Sequence, residues 1–174
     1  IRALSGGPGQ TQRLRELVWE LRGRVMPYYP VRGEPTLRCL AFDPRTGALL
    51  EKIGTGVGSV GDDAGLAHVQ PFILDRTDGT ADTVYAGDLH GNLWRLDVSA
   101  ASGAYPAPTK IAELADASGV RLPVTSRPLI IPQPSTNKRF VTIGTGRLLH
   151  PSDSGSTQAQ RFFATHEDAV ADEV

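Results

Sequence analysis

The sequence predicts an all-β protein whose strands form small antiparallel sheets. Most of the chain consists of short apolar and β-branched runs separated by clusters of Gly, Pro, Asp and Ser, a pattern typical of antiparallel sheet. Its 174 residues include 19 Gly and 13 Pro, which favours many turns. Helical segments do not alternate with strands, so parallel βαβ units are not predicted.

One segment near the N-terminus has the period of a helix. Four apolar residues there recur at the i, i+3, i+4, i+7 spacing of a single helical face: Leu14, Leu17, Val18 and Leu21. Gly23 supplies a stop signal. We therefore predict one amphipathic helix near residues 11–22 that docks on a sheet, with a partner-binding helix as the alternative.

Short strands are predicted over the rest of the chain. Residues 26–35 contain three prolines and are predicted to be an extended crossing segment. The predicted strands are 37–42, 48–53, 83–86, 93–98, 110–114, 129–131, 140–143 and 161–165.

A weak internal repeat groups these strands into units. The segments CLAFDPRTGALLEKI and LWRLDVSAASGAY each place an Asp at the end of a strand, and these residues, Asp43 and Asp97, are 54 positions apart. A looser third copy begins near RFFATHED. Repeats of this length are typical of propellers and solenoids, whose units must stack to bury their apolar faces. The sequence thus predicts about three blades of a partial β-propeller, and closed rings of about four to eight blades imply a larger parent.

Charge and cysteine content exclude several classes of protein. A formal net charge of −1 gives no excess of basic residues for phosphate, so nucleic acid is not a predicted partner. A single cysteine, Cys39, excludes an internal disulfide framework. No run of about 18 apolar residues occurs, so no membrane span is predicted. The chain starts at Ile1, which indicates a processed start or an excised piece.

Enzyme motifs are also weak in this sequence. Gly56, Gly58 and Gly61 match G-x-G-x-x-G, but Gly65 and Pro71 interrupt the helix that a dinucleotide site requires, so a loop is predicted. The four histidines have no zinc-ligand spacing, and no serine lies in G-x-S-x-G. These patterns give no enzyme motif, although a catalytic triad assembled from distant residues stays open at this point.

Residues 74–99 carry the most information. Asp75, Asp78 and Asp82 lie in one turn-rich loop, which partly fits an oxygen-ligand site for calcium and also fits an ordinary turn between strands. The next two strands flank a tight turn at residues 88–92, in which Asp88 is predicted to accept backbone N–H bonds in a structural role.

The string VYAGDLHGNLWRLDVS, residues 84–99, closely resembles the signature of the C-terminal β-propeller of the PilY family, type IV pilus tip-associated assembly and adhesion proteins. Further stretches agree in the same order: AFDPRTGALLEKIGTG, GDDAGLAHVQPFILD, PVTSRPLI and VTIGTGRLLHPSDSGSTQAQRFFA. The resemblance covers residues 37–165. It divides the chain into residues 1–36, a linker and helix outside it, and residues 37–174, the propeller blades.

The resemblance implies a calcium loop before the Y-A-G-D strand. In the family, side chains at loop positions 1, 3, 5 and 9 and the main-chain carbonyl at position 7 bind the ion. This places Asp82 at position 9, Thr80 at 7 and Asp78 at 5, with Asp75 at position 1 after a one-residue deletion. One family ligand is lost and Arg76 adds a positive charge, so calcium is predicted to bind weakly.

The resemblance further implies a non-enzymatic module of an exported protein at the cell surface, outer membrane or pilus tip. Its implied role is type IV pilus assembly, twitching motility and attachment. The implied partners are pilus subunits or minor pilins and a host or abiotic surface. The alternative is a quinoprotein-type propeller, either a piece of a pyrroloquinoline-quinone dehydrogenase or an outer-membrane assembly scaffold. The absence of regularly repeated Trp at blade ends disfavours that alternative.

Overall fold

The architecture was determined from a computed structural model. It describes residues 25–28, 38–42, 48–59, 61–74, 77, 81–100, 104–136 and 138–167. Over these residues, ten strands form three antiparallel sheets, and the other regular element is a short 3₁₀ helix, Pro151–Gly155. The predicted all-β class is confirmed. The helix predicted near residues 11–22 lies outside the described residues.

The first sheet has the strand order β1-β2-β3. Its strands are β1 (Val25–Tyr28), β2 (Arg38–Phe42) and β3 (Leu49–Gly54). Strand β1 overlaps the start of residues 26–35, which were predicted to be an extended crossing segment. It pairs only with β2 in this sheet, with Pro27 opposite Cys39. An edge strand tolerates proline because its missing N–H can face away from the ladder.

The second sheet has the order β4-β5-β6-β7. Its strands are β4 (Gln70–Phe72), β5 (Thr83–Gly87), β6 (Asn92–Asp97) and β7 (Thr109–Glu113). Strand β4 was not predicted, because a run of three residues that includes Pro71 shows no alternation. The predicted hairpin is confirmed: β5 and β6 pair from Thr83 opposite Asp97 to Gly87 opposite Leu93.

The third sheet has the order β10-β9-β8. Its strands are β8 (Leu129–Gln133), β9 (Lys138–Gly144) and β10 (Phe162–His166). The first strands of the three segments of the sequence repeat are β2, β6 and β10, one in each sheet. Because each copy lies in a different sheet, the repeat unit is a sheet, as expected for propeller blades.

The core consists of two clusters, one on each face of the second sheet. Val84, Ala86 and Trp94 pack toward Ile53 of the first sheet. Tyr85 and Leu93 alternate with these residues along β5 and β6. They pack toward Val141 and Ile143 of the third sheet and toward Val124 in the segment before β8. Burial on both faces explains why β5 is buried at every position. The second sheet is thus stacked between two neighbours, like a blade within a propeller.

A glycine at the end of β5 allows the segment before β8 and the third sheet to pack closely on the second sheet. A Cβ atom on Gly87 would lie 2.3 Å from Cγ1 of Val124. No side chain can occupy that space without displacing Val124.

The face of the third sheet that points away from the second sheet is apolar and exposed. Its large side chains are Leu129, Ile131, Phe140 and Phe162, with exposed fractions of 60%, 47%, 37% and 72%. The register places Ile131 opposite Phe140, and Phe162 follows on the neighbouring strand.

Candidate functional site

The only predicted calcium ligand within the described residues is Asp82, which lies immediately before β5. Its Oδ2 accepts a hydrogen bond from the backbone N–H of Leu74 at 2.5 Å. Its own N–H donates to the carbonyl of Phe72 at 3.0 Å, and its carbonyl accepts from the N–H of Val98 at 2.9 Å. Asp82 thereby joins the two ends of the loop between β4 and β5.

The other predicted ligands, Asp75, Asp78 and Thr80, lie outside the described residues. Over the ranges that the structure describes, no three His, Cys, Asp or Glu side chains group together in a way that could hold a metal ion. The predicted calcium site therefore stays a prediction.

Asp82 also lines a cleft of about 320 Å³ between the second and third sheets, which we call the Asp82 cleft. Arg95 and Arg139 line the same cleft, together with Asp97. The side chain and N–H of Ser99 donate hydrogen bonds to Asp97 and hold the pKa of its carboxyl below the usual range. The two guanidinium groups already offset part of the negative charge of Asp82 and Asp97. A divalent cation would therefore relieve less repulsion between these carboxylates.

A buried acidic side chain, Glu167, connects the second and third sheets. The hydroxyl of Tyr85 donates to Oε2 of Glu167 at 2.6 Å, and Nε of Arg139 donates to its Oε1 at 2.7 Å. The Arg139 guanidinium also lies over the ring of Phe72, 4.6 Å from the centroid. Both carboxylate oxygens are therefore satisfied in a buried position, which removes most of the penalty for burying the charge.

Burial, and then the hydrogen bond to Glu167, raise the pKa of the Tyr85 hydroxyl well above its usual value. Tyr85 thus remains a neutral donor at physiological pH. No hydrogen-bonding role was predicted for Tyr85, Glu167 or Arg139 from the sequence. The only signal for Glu167 in the sequence was the pair of acidic residues that ends the third repeat segment, RFFATHED.

A second buried carboxylate, Asp88, organises the turn between β5 and β6. Its Oδ1 accepts from the N–H of Asn92 at 2.8 Å, and its Oδ2 accepts from Asn92 Nδ2 at 2.9 Å and Trp94 Nε1 at 2.8 Å. The carbonyl of Asp88 accepts from the N–H of Val124 in the segment leading to the third sheet. The structural role predicted for Asp88 is confirmed.

The glycine motif near residue 58 forms a loop, as predicted. Gly56, Gly58 and Gly61 adopt φ angles of 73°, 107° and 86°, which favour glycine. Ser59 and Asp62 exchange backbone hydrogen bonds of 3.1 and 3.0 Å, which close a tight turn. No helix begins within 61–74, so the geometry lacks the helix N-terminus of a dinucleotide site.

These features define a class of protein. Three small antiparallel sheets are stacked face to face, with one repeat segment in each, and their buried polar residues join strands and turns. This arrangement is that of consecutive blades of a β-propeller. None of the helices in the described part of the chain is long and apolar enough to cross a membrane.

Comparison with known proteins identifies the family. The family model of the PilY1 beta-propeller domain matches residues 33–174. The chain therefore belongs to the PilY1 beta-propeller family, in agreement with the resemblance found in the sequence.

Two curated relatives and one solved structure agree with this assignment. The chain is 30% identical over 136 residues to the type IV pilus biogenesis factor PilY1 of Pseudomonas aeruginosa strain PAO1, covering 66% of this chain and 12% of that protein. It is 35% identical over 101 residues to a PilY1 homolog of Xylella fastidiosa strain Temecula1, covering 57% of this chain and 8% of that protein.

The crystal structure of the P. aeruginosa PilY1 C-terminal domain is similar in fold, with a TM-score of 0.67 and 24% identity. The match covers 80% of this chain and 33% of that one. The chain thus spans about an eighth of the P. aeruginosa relative and a third of the solved domain.

Proposed function

We propose that this chain is a non-enzymatic propeller segment that acts in type IV pilus biogenesis. The observation that carries the proposal is the family match over residues 33–174, together with relatives named as type IV pilus biogenesis factors. The match favours this function over the quinoprotein-type alternative. In this proposal the parent protein is exported to the cell surface or pilus tip, where it contacts pilus subunits or minor pilins.

We also propose that the parent protein contributes to twitching motility and to attachment to host or abiotic surfaces. A segment of this kind acts through its surfaces and loops. The buried carboxylates of Asp88 and Glu167 support a role of the surface loops in binding, because their hydrogen bonds fix the turns and sheets from which the loops extend. These residues stabilise the scaffold that presents the loops.

We propose that the parent chain supplies further blades. Both faces of the second sheet are buried, whereas the corresponding outer face of the third sheet exposes apolar residues such as Leu129 and Phe162. The solved domain is about three times as long as the matched part of this chain, which leaves room for further sheets. A neighbouring blade would cover this apolar face.

We propose that calcium binds weakly to the loop through the side chains of Asp75, Asp78 and Asp82 and the carbonyl of Thr80. The anchored carboxylate of Asp82 supports this ligand set. The missing family ligand and the nearby arginines of the Asp82 cleft support a low affinity, on the order of 10⁻⁴ to 10⁻³ M as in extracellular calcium modules. Bound calcium would tighten the loop by relieving repulsion between its carboxylates.

The pilus role is tested by deleting the parent gene in its own bacterium and by introducing point variants of it. Deletion of the gene should abolish or strongly reduce surface pili, measured by shearing and immunoblotting, and should abolish twitching. Gly87→Val, which disrupts the contact between sheets, should reproduce the deletion. Lys138→Gln, at the exposed first residue of β9, should behave like the wild type. Normal piliation and twitching in the deletion strain would contradict the proposal.

A further inference from the structure

A second cleft opens at the end of the sheets opposite the Asp82 cleft. It encloses about 560 Å³ between the segment leading from β7 to β8 and the loop that joins β9 to β10. We call it the loop cleft. Leu89, at the turn after β5, Pro123 and Leu148 contribute its apolar surface. No aromatic side chain is among the described residues that line it.

Hydrogen bonds fix the two walls of the loop cleft relative to each other. The hydroxyl of Thr125 donates to the carbonyl of Gly146 at 3.0 Å, and the N–H of Gly146 donates to the carbonyl of Pro123 at 2.7 Å. Nε2 of Gln158 donates to the carbonyl of Arg121 at 3.1 Å. Because these bonds cross between the walls, the cleft is formed before any ligand binds, which lowers the entropy cost of binding.

Each wall carries one arginine. Arg121 pairs with Glu113, and its Nη1 donates to Oδ1 of Asn92 at 3.2 Å. Arg147 directs Nε and Nη2 to Oδ1 of Asp153, at 3.0 and 2.9 Å. The side chain of Arg147 is nevertheless 51% exposed, and its Nη1 takes no part in this ion pair.

Asp153 is suited to hold Arg147 in place. Its Oδ2 accepts from the N–H groups of Leu149 and His150, both at 2.9 Å. These backbone bonds, followed by the hydrogen bond from Arg147, hold the pKa of the Asp153 carboxyl below its usual range. Both oxygens of the Asp153 carboxylate therefore already accept hydrogen bonds. The remaining N–H groups of the Arg147 guanidinium can bind a ligand at the cleft.

The chemistry of the walls selects the kind of ligand. An oriented guanidinium with free donors prefers a carboxylate, which it can bind through paired hydrogen bonds. Apolar side chains of Leu89 and Leu148 beside it favour a ligand that also carries an apolar group. The described residues that line the cleft offer no aromatic stacking surface, which disfavours a sugar ring. A short peptide with acidic and apolar side chains satisfies both requirements.

We propose that the loop cleft binds an extended segment of a partner protein, with a Glu or Asp side chain at Arg147 and a neighbouring apolar side chain against Leu89 and Leu148. The proposal rests on the pilus role only in taking the partner to be a protein. Direct binding of a peptide to the purified chain tests this proposal without a pilus assay. The binding proposal and the proposed pilus role can therefore fail independently of each other.

The probes are acetylated, fluorescein-labelled hexapeptides of Gly and Ser that contain Leu-Glu, Glu-Leu or Leu-Ser-Glu, each with a Glu→Gln counterpart. Fluorescence anisotropy should show saturable binding of at least one acidic peptide, weakened at least tenfold in its Gln counterpart. Arg147→Gln should also weaken binding at least tenfold, because it removes the charge that recognises the carboxylate. Leu148→Ser, at a side chain that is 74% exposed, should weaken it several-fold without affecting folding.

Lys138→Gln is the matched control, since it removes one positive charge at the far end of the third sheet and should leave peptide binding unchanged. Phosphate and a glucuronate oligosaccharide serve as competing anions. The proposal is overturned if no acidic peptide binds at millimolar concentration, or if the Gln counterparts bind equally. It is also overturned if folded Arg147→Gln binds like the wild type, or if only the competing anions bind.

Discussion

The hydroxyl of Tyr85 donates a 2.6 Å hydrogen bond to Oε2 of Glu167, and the two residues are 82 positions apart in the chain. Tyr85 lies on β5 of the second sheet, and Glu167 directly follows β10 of the third. Arg139 completes the site from β9. The contact therefore fixes how two successive sheets stack.

Tyr85→Phe should destabilise the chain by about 1.5 to 3 kcal/mol, because a buried carboxylate loses a charge-assisted hydrogen bond. Urea denaturation followed by circular dichroism measures the change. Tyr105→Phe is a matched control, since Tyr105 is buried and its hydroxyl has no hydrogen-bond partner among the described residues. The control should be neutral or slightly stabilising. An equal loss in both variants would contradict a specific role for the bond to Glu167.

The same contact predicts a loss of stability at alkaline pH. Folding raises the pKa of Tyr85 above the value of about 10 expected in the unfolded chain. Its contribution is therefore complete below about pH 10 and is lost as the pH rises toward the folded pKa. The difference in unfolding free energy between wild type and Tyr85→Phe should shrink from pH 9 to pH 11. A difference that stays constant over that range would contradict the raised pKa.

Asp88→Ala should destabilise the chain by more than about 3 kcal/mol, because it leaves the buried donors of Asn92 and Trp94 without a charged acceptor. Thermal and urea denaturation measure the loss. Asp62→Ala is the control: this exposed carboxylate pairs with His90, and its removal should change stability by less than about 0.5 kcal/mol. A mild effect of Asp88→Ala would show that water replaces the carboxylate.

Gly87→Ala should cost about 1 to 3 kcal/mol, because the added Cβ collides with Val124. Val124→Ala should partly restore stability in the double variant, and a double-mutant cycle measures this coupling. Gly155→Ala is the control, since no atom lies within 4 Å of its added Cβ. Additive effects of Gly87→Ala and Val124→Ala would contradict direct contact between β5 and the segment before β8.

Calorimetric titration should detect weak calcium binding to the purified chain. Asp78→Ala and Asp82→Ala should each abolish it, and Asp75→Ala should weaken it. Arg76→Asp should strengthen binding, because it restores a carboxylate near the missing family ligand. Asp116→Ala, in the segment after β7, is a control that should leave binding unchanged. Sub-micromolar affinity, or binding that survives Asp82→Ala, would show that the assignment of loop positions is wrong.

The sequence alone determined the class of the fold and the position of most strands. Each of the eight predicted strands is found within two residues of its predicted bounds. Alternation of side chains and the residue preferences of turns are local properties, so short segments encode them without their neighbours. The role of Asp88 could be predicted for the same reason, since most of its partners lie within six residues. The repeat and the collinear motifs also identified the family.

Only the tertiary structure decided which surfaces meet. Strands β1 and β4 were missed because each contains a proline and is defined by its pairing with a neighbour. Glu167 and Arg139 became a site only when the third sheet stacked on the second. The loop cleft likewise brings together Arg121 and Arg147 from separate loops. Such contacts depend on the stacking of whole sheets, which no local pattern specifies.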